Sequence, residues 1–156
     1  NPKHVDAWYS RAYAKYDLQD FTGAIKDFTT TIELDPQHGE AWYNRGYTRF
    51  DLKNYRGAAA DLTKALQFRP GDLNIYANRG ESRYHLGHLR NAIADFTIVV
   101  QADPTAANAW YNRGVAHADL LNYQQAIYDL QHALELAHPG AEKAINTIKK
   151  ILAKKK

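Results

Sequence analysis

The chain has 156 residues, with 20 Lys plus Arg against 17 Asp plus Glu, 11 Tyr, no Cys and no Met. The missing Cys excludes disulfides and thiolate metal sites and says little about compartment; no apolar run reaches the roughly 18 residues a membrane-spanning helix needs. The net charge of +3 is uneven: residues 141–156 carry six Lys against Glu142, whereas residues 1–140 carry 14 Lys plus Arg against 16 Asp plus Glu, so a wide nucleic-acid surface along the mildly acidic body is not expected.

Residue types recur every 34 positions: Trp8, Trp42, Tyr76 and Trp110; Arg11, Arg45, Arg79 and Arg113; Ala24, Ala58, Ala92 and Ala126; Asp27, Asp61, Asp95 and Asp129; Pro2, Pro36, Pro70 and Pro104. Such a period marks stacked units, each burying its apolar face against its neighbours. Asn1-Pro2 matches Asp35-Pro36 and Asp103-Pro104. Residues 1–4 are therefore expected to close a preceding unit, as in a piece of a longer array. Units then follow at 5–38, 39–72, 73–106 and 107–140, with 141–156 as a tail.

Each unit carries two helical segments of about 13 residues, a usual helix length. The first runs from just before the Trp column to Leu18, Leu52, Leu86 or Leu120. The second runs from a short turn to just before Pro, which cannot continue the backbone ladder. The turns fall at Gln19-Asp20, Lys53-Asn54, Gly87-His88 and Leu121-Asn122, each of which contains Asp, Asn or Gly. In the tail, Ala144, Ile145, Ile148, Ile151 and Leu152 have helical spacing and read as a cap over the fourth unit, with Lys154–Lys156 suiting a helix C-terminus. The class is all-α, built of antiparallel helix pairs.

At about 100° per residue, Trp8, Arg11, Ala12, Lys15 and Leu18 share one face of the first helix, and Tyr9, Ser10, Tyr13, Tyr16 and Asp17 share the other. The Trp face is expected to meet the partner helix, with Ala12, Gly46, Gly80 and Gly114 allowing close approach. On the second helix Ala24, Phe28 and Thr31 share a face with Phe21, and the pattern of large beside small recurs in every unit.

The pattern resembles the tetratricopeptide repeat, whose fingerprint W-x2-L-G-x2-Y…A-x3-F…P appears here as Trp42-x2-Arg45-Gly46-x2-Arg49…Ala58-x3-Leu62…Pro70. The Asn-Arg-Gly triplets, as at Asn44–Gly46, are common in bacterial members. The resemblance implies a right-handed superhelical solenoid of four units plus a C-terminal capping helix, its first helices lining a concave groove that grips peptides or partner helices. Two columns depart from the family. Arg replaces Leu after Trp in all four units, and the Tyr column holds Lys15, Arg49, Arg83 and His117. A charge on a packed face costs heavily unless paired. Ion pairs Arg11–Asp27, Arg45–Asp61, Arg79–Asp95 and Arg113–Asp129 are therefore expected inside each unit.

The opposite face of the first helices carries Tyr9, Tyr13, Tyr16, Tyr43, Tyr47, Tyr84, Tyr111 and Phe50. Tyr offers contact area with few rotors to freeze. Asn44, Asn78 and Asn112 run beside them. An amide donates and accepts, so it can pair with a peptide backbone of any sequence, and some members of the resembling family use an Asn ladder in this way. The peptide-binding set expected is Asn44, Asn78, Asn112, Tyr9, Tyr13, Tyr43, Tyr47, Tyr111, Asp51 and Asp119. Asp6, Asp17, Glu40, Asp51, Glu81 and Asp119 face no Lys or Arg in the same columns, which favours a basic or apolar protein segment. The carboxylate clamp of chaperone-binding members needs Lys and Asn where Tyr9 and Tyr13, or Tyr43 and Tyr47, stand, so capture of acidic chaperone tails is not expected. Single-stranded RNA is disfavoured by the acidic groove. His85 and His88 lack a third metal ligand, and no phosphate loop, catalytic triad or cofactor motif is recognisable. The expected function is a non-enzymatic protein–protein interaction module; the alternative is a scaffold that self-associates through its array ends.

Overall fold

The computed structural model describes residues 4–154. The expected ending of a preceding unit at residues 1–4 and the lysines at 155 and 156 lie wholly or partly outside them. Among the described residues the chain forms nine α-helices and no strand: α1 Val5–Asp17, α2 Phe21–Leu34, α3 Gly39–Asp51, α4 Tyr55–Phe68, α5 Leu73–His85, α6 Leu89–Ala102, α7 Ala107–Asp119, α8 Tyr123–Glu135 and α9 Ala141–Ala153. The contacts divide them into two units, Asn1–Ser82 and Arg83–Lys156.

Local chemistry sets the boundaries. The first helix of each pair stops where one residue turns left-handed, at Gln19 (φ 61°), Lys53 (φ 60°), Gly87 (φ 74°) and Leu121 (φ 62°). Only at Gly87 does the sequence supply the residue that adopts this conformation without steric cost. The next residue opens the second helix, and the Asp20 and Asn54 side chains accept from the amides of Gly23 (2.9 Å) and Gly57 (3.1 Å). The second helices end at Asp35, Arg69 and Asp103 in extended or non-helical backbone, as the proline that follows each of them requires. The fourth pair has no proline at that position. There α8 ends through left-handed Ala137 (φ 59°), with the His138 amide donating to the Ala133 carbonyl at 2.8 Å.

In the first unit α1 packs on α2, α2 on α3, α3 on α4, and α1 lies beside α3. Its core joins Ala12, Ala24, Phe28, Ile32 and Ala41, then Ala58, Leu62, Ala65, Leu66 and Ile75. In the second unit α6 packs on α7, α7 on α8, and α8 on α9, with α7 beside α9. The tail helix therefore takes the place of a next first helix. It buries Ile145 and Ile148 against Ala126 and Leu130. Close approach within a pair depends on small residues: a Cβ added at Gly114 would sit 2.9 Å from Leu130 Cγ, and one at Gly46 would sit 3.1 Å from Leu62 Cγ.

One expectation needs correction. The helical wheel places Leu18 on the packed Trp face, but Leu18, Leu52 and Leu120 are C-caps just past their helices. Leu18 is 81% exposed. The left-handed turn that follows begins to swing the chain away before the Leu side chain can reach the partner helix.

Candidate functional site: the first-helix face and its charged backing

Two arrays of side chains organise the repeats. The first lies between the helices of each pair. Arg11 grips Asp27 with two bonds, Nε to Oδ2 at 2.6 Å and Nη2 to Oδ1 at 2.8 Å. Arg45 grips Asp61 at 2.8 and 2.8 Å, and Arg113 grips Asp129 at 2.8 and 2.7 Å. Each of these carboxylates is buried. The Arg11 hydrogen bonds hold the Asp27 carboxyl below its ordinary range, against the opposing effect of burial and with help from Lys15. Arg79 lies in the first unit, over the Tyr76 ring at 5.4 Å and with Nη1 3.4 Å from Thr63 Oγ1. Asp95, in the second unit, accepts from Arg83 at 2.7 Å.

Each Arg does more than pair. Its guanidinium lies over the aromatic ring three residues earlier, at 4.3 Å for Arg11 on Trp8, 4.8 Å for Arg45 on Trp42 and 4.7 Å for Arg113 on Trp110. Its remaining donor reaches the preceding pair, with Arg45 Nη1 3.0 Å from Thr29 Oγ1 and Arg113 Nη1 3.2 Å from Thr97 Oγ1. The indoles of Trp42 and Trp110 donate to the carbonyls of Pro36 and Pro104, each at 2.9 Å. The column that stands where Leu is usual thus ties a helix pair internally and to its predecessor.

The other cation column also serves the aspartates, which sequence reasoning missed. Lys15 reaches Asp27 at 2.8 Å, Arg49 reaches Asp61 at 2.7 Å, and Arg83 reaches Asp95. The signal was available: these cations stand 12 residues before each Asp, as the other Arg column stands 16 before. In the fourth pair the column holds His117, whose Nδ1 is buried without a hydrogen-bond partner among the described residues. Burial pushes its pKa down, the Arg113 charge acts in the same direction, and Asp129 opposes both. A depressed folded pKa means that the fold resists protonation. The stability tied to His117 is therefore complete above the ordinary His range and falls as pH drops through it. Replacing His117 with Arg is expected to raise stability by about 1 kcal/mol by supplying the missing cation and removing the orphaned nitrogen. It should also flatten that part of the pH profile. Urea midpoints at about pH 7.5 and about pH 5.5, on either side of the ordinary His value, check this; a lower midpoint at both would contradict it.

The second array lies on the opposite face of the first helices. Asn44 Nδ2 donates to the Tyr9 hydroxyl at 2.8 Å, and Asn78 Nδ2 donates to the Tyr43 hydroxyl at 3.1 Å. The Tyr16 hydroxyl donates to Asp51 Oδ2 at 2.7 Å, and the Tyr84 hydroxyl donates to Asp119 Oδ2 at 2.7 Å. Every rung spans 35 residues, one more than the period. Burial and the neighbouring carboxylate push the Tyr84 hydroxyl up to about 12 and raise that of Tyr16 as well. Asn44, Asn78, Asp51 and Asp119 thus hold adjacent first helices together as well as facing outward. Asn44 and Asn78 each use one amide N–H in this way, which leaves the carbonyl Oδ1 without a partner among the described residues. Asn112 is half-buried on α7.

Between α1 and α3 a cavity of about 200 Å³ opens, lined by Tyr13, Tyr16, Phe28, Tyr43, Asn44 and Tyr47. Tyr13 is 51% exposed at its edge. Tyr9 lies behind it, packed on Phe28 and on His38. In the second unit a larger hollow of about 690 Å³ lies between α7 and α9. Tyr111, Val115, Leu130, Ile148 and Ile151 make it mostly apolar, with Asp119 and Lys143 among its lining. Lys143 comes from the tail helix, so this hollow, unlike the α1–α3 cavity, has a cation in its wall. Tyr111 stacks on His138 at 4.0 Å, at the base of the tail helix. Among the described residues there is no group of three or more His, Cys, Asp or Glu that could hold a metal, and no helix is long and apolar enough to cross a membrane.

Two family profiles, both described as tetratricopeptide repeat, match residues 9–72 and 107–138, more than half of the chain together. The chain belongs to the tetratricopeptide-repeat family. Solved tetratricopeptide-repeat structures share its fold. A crystal structure of MamA superposes with a TM-score of 0.89 at 19% identity, covering 94% of this chain and 81% of that one. YrrB, described as a tetratricopeptide-repeat protein with an unusual peptide-binding site, gives 0.86 at 23%, covering 96% and 76%. The first tetratricopeptide-repeat domain of Spaghetti (RPAP3), bound to the HSP90 peptide SRMEEVD, gives 0.71 at 24%, covering 76% and 96%. No curated protein sequence matches the chain. Tetratricopeptide repeats are generally non-enzymatic interaction modules.

Proposed function

We propose that this protein is a non-enzymatic interaction module whose first-helix face holds an extended, basic or apolar segment of a partner protein. One observation carries the reading. Asn44, in the wall of a tyrosine-lined cavity, and Asn78 are fixed by tyrosine hydroxyls at 2.8 and 3.1 Å, and their carbonyl oxygens have no partner among the described residues. A fixed acceptor on a wet aromatic surface suits the backbone N–H of a bound strand, and its side-chain rotor is already frozen before binding. Tyr13, Tyr43 and Tyr47 supply contact area, and Asp51 biases the face toward cations. In the second unit Tyr111 and Asp119 line the hollow against α9. The peptide-bound Spaghetti (RPAP3) domain and YrrB, described as having a peptide-binding site, support the general mode. The acidic HSP90 peptide is not the expected ligand, because Tyr replaces the clamp residues at positions 9, 13, 43 and 47.

A random peptide library panned against the intact chain supplies the probe. The double change Asn44→Ala with Asn78→Ala should weaken the selected peptide at least about tenfold, from loss of two hydrogen-bond partners. The melting temperature should fall only modestly, since two partly exposed bonds to tyrosine are lost. Equal calorimetric affinities for the two proteins would remove the binding surface from this face.

A further inference from the structure

The cavity between α1 and α3 has a composition that plain groove packing does not explain. Four of its six lining residues are tyrosines, its floor is Phe28, and no Lys or Arg contributes to it. Tyr16 and Tyr47 meet at 6.0 Å and 54°, which makes a corner, and Tyr43 and Tyr47 lie 6.1 Å apart at 27°. Asp51 is fixed on the Tyr16 hydroxyl at 2.7 Å. Glu40 lies near the Tyr9 hydroxyl and contributes to raising its pKa. Arg69 lies 5.6 Å over the Tyr43 ring and is neutralised by its own salt bridge to Asp72.

We propose that the Tyr13–Tyr16–Tyr43–Tyr47 cavity is a receptor for one guanidinium group, the side chain of an arginine in the bound segment. The inference rests on the groove-binding reading above and names the side chain that the groove selects. Three physical facts converge. Aromatic faces carry negative quadrupole charge and attract a cation brought within about 6 Å of the ring centre. A guanidinium is planar and weakly hydrated, so it stacks on such faces and loses less on leaving water than an ammonium does. The Asp51 carboxylate accepts only one hydroxyl among the described contacts, so it keeps acceptor capacity for the fork of an arginine. The cavity volume of about 200 Å³ suits one side chain rather than a drug-sized ligand. The Tyr16 hydroxyl, held by Asp51, and the Tyr43 hydroxyl, held by Asn78, fix two of the four rings before any ligand arrives.

The test uses the intact chain and two blocked peptides, acetyl-Ala-Ala-Arg-Ala-Ala-amide and its counterpart with citrulline, which is nearly isosteric and uncharged. Binding is followed through the tyrosine ring resonances. The arginine peptide should bind about five- to thirtyfold more tightly than the citrulline peptide. Tyr47→Phe, which keeps the ring face, should preserve that ratio. Tyr47→Leu, which keeps bulk without it, should abolish most of the ratio, and Asp51→Asn should reduce it. Thermal melts of all three variants show whether each is folded. The citrulline peptide keeps every backbone group, so its own affinity reports the backbone-gripping role apart from the guanidinium preference. Equal affinity for the two peptides overturns the inference. So does a ratio unchanged in Tyr47→Leu, or the absence of any shift at the Tyr47 ring. If the Asn44→Ala, Asn78→Ala double variant loses its selected peptide while the arginine preference is missing, groove binding stands and the guanidinium receptor falls.

Discussion

Replacing Asp61 with Ala is expected to destabilise the protein by several kcal/mol, on the order of 3–5, because it strands charges in a nearly closed space. Asp61 is 2% exposed and takes two bonds from Arg45 and one from Arg49. The Arg45 side chain is itself only 10% exposed, so water cannot replace the lost carboxylate without opening the interface. Arg45 would keep its contacts to Trp42 and Thr29, which places the loss toward the lower end of that range. The equivalent change at Asp27 should cost less, because Arg11 is 54% exposed and can return to solvent. Urea denaturation of the two variants checks both the size and the order. A loss below about 0.5 kcal/mol at Asp61 would mean that the pair behaves as an exposed one. At Asp27 the depressed carboxyl pKa also sets the pH dependence. Its contribution is complete above the ordinary carboxylate value and is lost as pH falls through the lowered folded value.

Removing residues 141–156 should have an effect of similar size, through hydrophobic burial rather than charge. The tail helix buries Ile145 and Ile148 almost completely against Ala126 and Leu130. At about 1.5–3 kcal/mol for each isoleucine, the loss is about 3–6 kcal/mol in the second unit. Tyr111, which packs against the same cluster, would also lose cover. A terminal repeat needs a polar outer face, so the truncated chain should melt lower and dimerise or precipitate. Light scattering across a concentration series, paired with a thermal melt, measures both. An unchanged monomer with an unchanged melt would show that α9 is not a cap.

The helical framework was legible because each element follows from a local rule repeated at fixed spacing. Period, proline stops and alanine columns place the helix pairs, and the expectation of a tetratricopeptide array with a terminal cap holds. Single-helix reasoning was less useful for what one helix does to the next. The wheel put Leu18 on the packed face because it treats the helix as continuing, whereas Gln19 turns left-handed and ends it. The wheel also treated Lys15, Arg49 and Arg83 as an unexplained basic column, since it sees one helix and their aspartate lies on another. The rungs Tyr9–Asn44, Tyr16–Asp51, Tyr43–Asn78 and Tyr84–Asp119 were visible as a 35-residue spacing, but only after asking which residues of successive units touch. The aromatic cluster of Trp110, Tyr128 and His132, with ring centres 4.6–6.2 Å apart, had no signal of this kind. Tyr128 and His132 do not recur as aromatics in the other units.

The central claim is that the first-helix face of the repeats, and not the outer surface of the second helices, receives a partner segment. The most direct measurement is the binding footprint of a library-selected peptide, read from backbone amide shifts of the isotopically labelled intact chain. Perturbations should gather on α1 and α3, around Tyr13, Asn44, Tyr47 and Asp51, and extend to Asn78. A footprint centred on exposed positions of the second helices, such as Thr30, Lys64 and Tyr128, would contradict the account.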